Sequence, residues 1–140
     1  MKVPELRKFD QNDAWDLGVI AHDLAAERGY PIVIDIRQGQ TSLFTVRLPG
    51  ATSENLDWAR RKRNLTLLTK LPSWEHDKAR KAGHDIITEQ NLDPTEYASH
   101  GGCVPIMVNG VLVATFAISG LPSKEDHEFA VECMNLLSAK

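Results

Sequence analysis

The 140-residue chain holds only two cysteines, Cys103 and Cys133, and they never form a Cys-x-x-Cys pair. That excludes a disulfide framework and a thiolate zinc site. Both lie in apolar stretches and read as reduced core thiols. Cys103, beside Val104 and Pro105, is expected to be buried and inert rather than an activated nucleophile. Positive charge is not in surplus either: the formal net charge is -3, which argues against a nucleic-acid partner. No apolar run approaches the roughly 18 residues of a membrane span, and Met1 to Asp10 is charged with no apolar signal core. The expectation is a cytoplasmic protein with no membrane partner. Also missing are Gly-x-Ser-x-Gly, His-Glu-x-x-His and Cys-x-x-Cys-His. These absences remove the esterase elbow, the helical zinc motif and covalent haem attachment, and no metal is expected. No repeat or low-complexity segment occurs.

What is present suffices for one domain over residues 1–140, since 42% of the residues are hydrophobic. The organising stretch is residues 100–127. Two β-branched runs, Val104 to Val108 and Val111 to Ile118, flank Asn109-Gly110, a pair suited to the positive φ angles of a tight hairpin turn. A second hairpin is predicted from Pro31–Arg37 and Thr41–Leu48 around Gln38-Gly39-Gln40. In its first strand Ile32, Ile34 and Ile36 share one face, with Val33 and Asp35 on the other. Neither face is wholly polar, so both sides of the sheet should be covered.

Helical spacing marks a first helix over 11–28, begun by the oxygens of Asp10 to Asp13 and stopped by Gly29 and Pro31. Ser53 is the expected cap of a second, reaching about Lys70. Trp74 to about Thr88 reads as a weaker helix, and Asp93-Pro94 as the start of a short turn to Ala98. Ser123 is expected to cap a last helix, with Asp126 completing a box-like pair and Phe129, Ala130, Cys133, Met134 and Leu137 facing the core.

The basic run Arg60-Arg61-Lys62-Arg63 falls on the second helix, where its three arginines should mostly turn to solvent. Lys62, four residues after Trp58, instead shares the apolar stripe and either snorkels or lines a pocket that meets an anion. Glycines at both ends of the central hairpin, Gly101, Gly102 and Gly120, permit close approach of backbone amides to a ligand. His100 and His127 lie just outside those ends. Asp126-His127 opens the last helix, whose dipole disfavours an imidazolium and leaves His127 neutral. Ser119, before Gly120, is read as bonding the local backbone rather than as a nucleophile.

These elements in this order, with Gly-Tyr-Pro-Ile-Val-Ile-Asp-Ile, Trp58, Arg61-Lys62, Gly101-Gly102-Cys103-Val104-Pro105-Ile106, Ser119-Gly120-Leu121-Pro122 and Asp126-His127, resemble the haem-degrading-domain family. That family includes the GlcG and HbpS proteins and the C-terminal domain of PduO-type adenosyltransferases. The resemblance covers nearly the whole chain. It implies an α/β (α+β) fold with a central antiparallel sheet of about five strands, helices on both faces, and homo-oligomers built from dimers. Position 103 is often a third glycine in the family, so Cys103 is a departure. Haem enters as a possible cofactor through the resemblance alone; the cofactor is otherwise unknown.

The reading that follows is a small-molecule-binding domain. Lys62, His100, Gly101, Gly102, Ser119, Gly120, Asp126 and His127 would surround a small anionic ligand, held by amides, a helix N-terminus and the lysine. Two alternatives stand beside it. One is an enzyme using His127 or His100 as general base on haem or a small hydroxy acid. The other is an assembly module whose glycines permit close packing of subunits.

Overall fold

The structure, a computed structural model, describes residues 2–140. Helix α1 (Gln11–Arg28) begins at Asp10, whose side chain accepts from the Asp13 amide while Asp13 returns the bond, and it ends at Gly29 with φ 70°. Strands β1 (Val33–Gln38) and β2 (Thr41–Arg47) form the first hairpin. Helix α2 (Ser53–Thr69) follows, then α3 (Ser73–Lys81) and the single turn α4 (Ile86–Glu89). Strands β3 (Cys103–Val108) and β4 (Val111–Ser119) make the second hairpin, with Asn109 and Gly110 both at positive φ as the turn requires. Helix α5 (Ser123–Ser138) closes the chain.

The sheet is antiparallel in the order β2-β1-β4-β3. Among the described residues it has four strands, not about five. The N-terminal segment comes closest to supplying another, but it touches β3 only at one parallel bridge, Leu6 to Val108. Pro4 has no amide to extend that ladder.

The two faces of the sheet differ in chemistry. Ile32, Ile34, Ile36, Val104, Ile106, Phe116 and Ile118 pack against α1 and α5 in the main apolar core. On the other face Val33, Cys103 and Ala117 meet Ala59 of α2. Those side chains are small, so α2 lies close, and buried polar groups fill the rest of that layer: Asp35, Lys62, Arg63, Thr66 and Thr115. A charge cannot stay there without a partner, so this face contains ion pairs.

Local signals were displaced in several places. Thr52, not Ser53, caps α2 by a reciprocal bond with Asn55. Ser123 does not cap α5: the helix starts after Pro122, whose fixed φ suits that position, and no side chain caps it. The helix read from Trp74 to Thr88 breaks at Gly83, whose φ of 96° is not helical. The short turn expected at Asp93-Pro94 does form, with the Asp93 carboxylate accepting from the Thr95 amide at 2.9 Å to close the bend.

Candidate functional site

Lys62 lies on the sheet side of α2, with only 4% of its side chain exposed. Its Nζ donates to Asp126 Oδ2 at 3.1 Å and to the Ile118 carbonyl at 3.3 Å. Asp126, 1% exposed, accepts at its other oxygen from the Leu121 amide at 3.0 Å. Burial pushes the Asp126 carboxyl up to about 6, against the opposing pull of Lys62 and the amides of Leu121 and Gly120. The pair joins α2 to the start of α5 across the end of the second hairpin.

Gly102 permits this junction. Its φ is 136°, and a Cβ there would lie 2.9 Å from Lys62 Nζ and 3.1 Å from Asp126 Cβ, and would overlap the Ile118 carbonyl. Gly120 similarly lets Pro31 and Ile32 approach, and Gly101 lies against Ser123 and Trp74. The Gly101 amide donates to buried Asp77 at 3.1 Å. These glycines therefore serve close packing within the chain, and the Gly101 amide is not free for a ligand.

Around the pair opens a hollow of about 210 Å³, lined by Lys62, His100, Ser119, Gly120 and Asp126, with Asn55, Trp58, Leu121 and Ser123 completing the wall. The His100 and Trp58 rings meet edge to face with centroids 5.0 Å apart, and His100 Nδ1 is 3.3 Å from Ser123 Oγ. Burial, then the positive charge of Arg80, Lys62 and Lys81, holds the His100 imidazole below its ordinary value, with Asp77 opposing. His100 is thus neutral at pH 7. The Arg61 guanidinium lies over the Trp58 ring, 4.0 Å from its centroid, and pairs with Asp57.

The sequence-predicted residues thus divide. Lys62, His100, Ser119, Gly120 and Asp126 come together, with Gly101 and Gly102 packed behind them. His127 does not join them. Successive residues in the first turn of a helix point about 100° apart, and His127 lines a separate hollow beside Pro72 and Pro105. Its neutrality holds, with burial as the leading cause.

Sequence reasoning misses three residues of this wall: Asn55 carries no signal, Ser123 reads as a helix cap, and Trp58 reads as part of an apolar stripe and of the family pattern; nothing in their spacing marks them for the hollow. Arg63 also departs from expectation. It is buried and donates to Asp35 at 2.9 Å, because Asp35 projects from β1 onto the α2 face, where it also binds Arg37 and Thr45. Burial drives the Cys103 thiol up to about 12, so it is not a nucleophile at neutral pH.

The family model described as haem degrading protein HbpS-like matches residues 9–135. The chain belongs to that family. A UPF0303 protein of Azotobacter vinelandii is 39% identical to this HbpS-like chain over 132 residues, covering 93% of it and 80% of the relative. The crystal structure of the Ybr137w protein is 30% identical and superposes with a TM-score of 0.86 over 96% of this chain and 81% of the other. The structure of the PduOC:heme complex, 22% identical, shares the fold with a TM-score of 0.78 over 91% and 93% of the two chains.

Proposed function

We propose that this HbpS-like protein binds a small carboxylate- or phosphate-bearing molecule in the Lys62 hollow. The observation carrying this reading is which groups remain unused. Both oxygens of Asp126, the only acid in the lining, are occupied by Lys62 and Leu121. The ammonium of Lys62 has three N–H groups, of which Asp126 and Ile118 take two. Asn55 spends its carbonyl oxygen on the Thr52 cap and keeps its NH₂. If the Ser123 hydroxyl donates to Nδ1 of His100, its Nε2 carries a proton into the hollow. Donors outnumber acceptors, so the complement is an acceptor-rich anion.

The hollow's volume lies below the roughly 300–1,000 Å³ of sites for drug-sized molecules, so a ligand of few atoms is implied. Heme, bound in the PduOC complex and implied by the family's name, is not matched by these residues. A porphyrin exceeds this hollow. The buried imidazole at the larger one, His127, has no acceptor among the described residues for its Nδ1, whereas a ligating histidine is held by such a partner.

Calorimetric titration with lactate and with inorganic phosphate tests the reading. Wild type should saturate, and the double variant Lys62→Met/Asp126→Asn, which removes both charges together, should keep its fold and lose binding. Absence of binding to either anion, or equal binding by the variant, rejects it. Turnover is the second reading, favoured by the neutral His100 in the wall. A hydroxy-acid substrate consumed by wild type but not by His100→Gln supports it.

We also propose that the protein is a cytoplasmic homo-oligomer built from dimers. Trp15, 62% exposed, and Leu136 on the neighbouring helix offer apolar surface for assembly, which native mass spectrometry would detect. No helix among the described residues is long and apolar enough to cross a membrane.

A further inference from the structure

Asp126 and His127 are adjacent in α5, yet they line hollows that share no residue. The second hollow, about 460 Å³, lies between the N-terminal segment, the outer side of β3 and the start of α3. Its walls are Val3, Pro4, Leu71, Pro72, Pro105 and Met107. Three of these are prolines and carry no amide, so the wall has few donors. Lys2, Glu5 and Glu75 also line it, and Glu75 is paired with Lys78 at 3.1 Å, so among these lining residues no cation stands in excess to hold an anion. In its lack of donors it is the opposite of the Lys62 hollow.

The polar group set into this wall is His127, 3% exposed. Its ring stacks on Trp74, with centroids 5.9 Å apart and planes 21° from parallel. Nδ1 is sealed from solvent with no hydrogen-bond partner among the described residues, so the Nε2 side is the edge it can present to the hollow. An unpaired lone pair costs less in a dry site than an unpaired N–H. The favoured tautomer therefore leaves Nδ1 bare and puts the proton on Nε2, as a donor.

We infer that the His127 hollow is a second binding site, independent of the Lys62 hollow, for an uncharged and largely apolar molecule carrying one carbonyl oxygen, which accepts a hydrogen bond from Nε2. The volume falls within the range of sites for ring-sized organic molecules.

Three probes of nearly one shape test this by NMR titration of the full chain: 2-acetonaphthone, 2-ethylnaphthalene and 2-naphthoate. The ketone should bind about tenfold more tightly than the hydrocarbon, the margin of one well-placed hydrogen bond in a dry site. It should also shift the His127 ring nitrogens, and the naphthoate should bind more weakly than the ketone. In His127→Phe, which keeps the stack on Trp74, the ketone should lose its advantage over the hydrocarbon. The inference is overturned if wild type binds the ketone no better than the hydrocarbon, if naphthoate binds best, or if the shifts map to Lys62 and His100. The comparison of probes on wild type stands even if the variant does not fold.

Discussion

Asp126 is a carboxylate kept almost dry, and most of the site's pH behaviour follows from it. Its folded pKa, about 6, lies above the ordinary carboxylate value. A group shifted upward favours the folded state when protonated. Its contribution is complete below the unfolded value and is lost as pH rises through about 6. Urea unfolding from pH 4 to 8 should therefore show wild type losing stability relative to Asp126→Asn over that window. In Lys62→Met the opposing cation is gone, and carbon NMR of the Asp126 carboxyl should show it titrating above 6. Anion binding should tighten as pH falls through the same range, because protonating Asp126 releases Lys62 to the ligand. A pH-independent affinity in calorimetry would count against that coupling. At the second buried cluster, Asp35→Ala strands Arg63 and Arg37 and should cost about 3–5 kcal/mol in denaturant midpoint measurements.

At the scale of elements, both hairpins, α1, α2 and α5 were legible because periodicity and turn chemistry agree there. The Ile32, Ile34, Ile36 alternation correctly placed Asp35 on the opposite face. Illegible were features decided by three-dimensional proximity. Whether an arginine in a basic run faces water depends on which carboxylate crosses beneath it, and Asp35 is 28 residues from Arg63. The same holds for Lys62, whose position on the apolar stripe was readable while its partner, 64 residues away, was not. His127 was misplaced because sequence adjacency to Asp126 says little about direction on a helix.

The glycines illustrate a related point: they signalled close approach, but of the chain's own backbone rather than of a ligand. Gly102→Ala should cost at least about 1–3 kcal/mol from backbone strain alone, plus the overlap with the Ile118 carbonyl. Gly39→Ala, at a positive φ but with open space around it, should cost less. Thermal unfolding of the two variants distinguishes these outcomes.

For the molecule as a whole, the difference between the sheet's faces separates stability from binding. The α1 and α5 side is apolar and carries the core; the α2 side is polar and carries the proposed site. The N-terminal segment fits neither layer. It straps the outer edge of β3, with the Leu6 amide donating to the Met107 carbonyl at 2.9 Å and the Leu6 side chain buried. Removing residues 1–7 would bare that edge and expose the leucine site, a loss of about 1.5–3 kcal/mol. The truncated protein should melt several degrees lower and self-associate with concentration, since a free strand edge invites pairing. Sedimentation at two concentrations would reveal the association.

Trp58 touches both a guanidinium, that of Arg61, and the His100 imidazole, at the wall of the Lys62 hollow. Its emission is therefore sensitive to whatever displaces either neighbour. With Trp15 and Trp74 replaced by phenylalanine, occupancy of that hollow becomes visible as a change in intrinsic fluorescence, with no label attached.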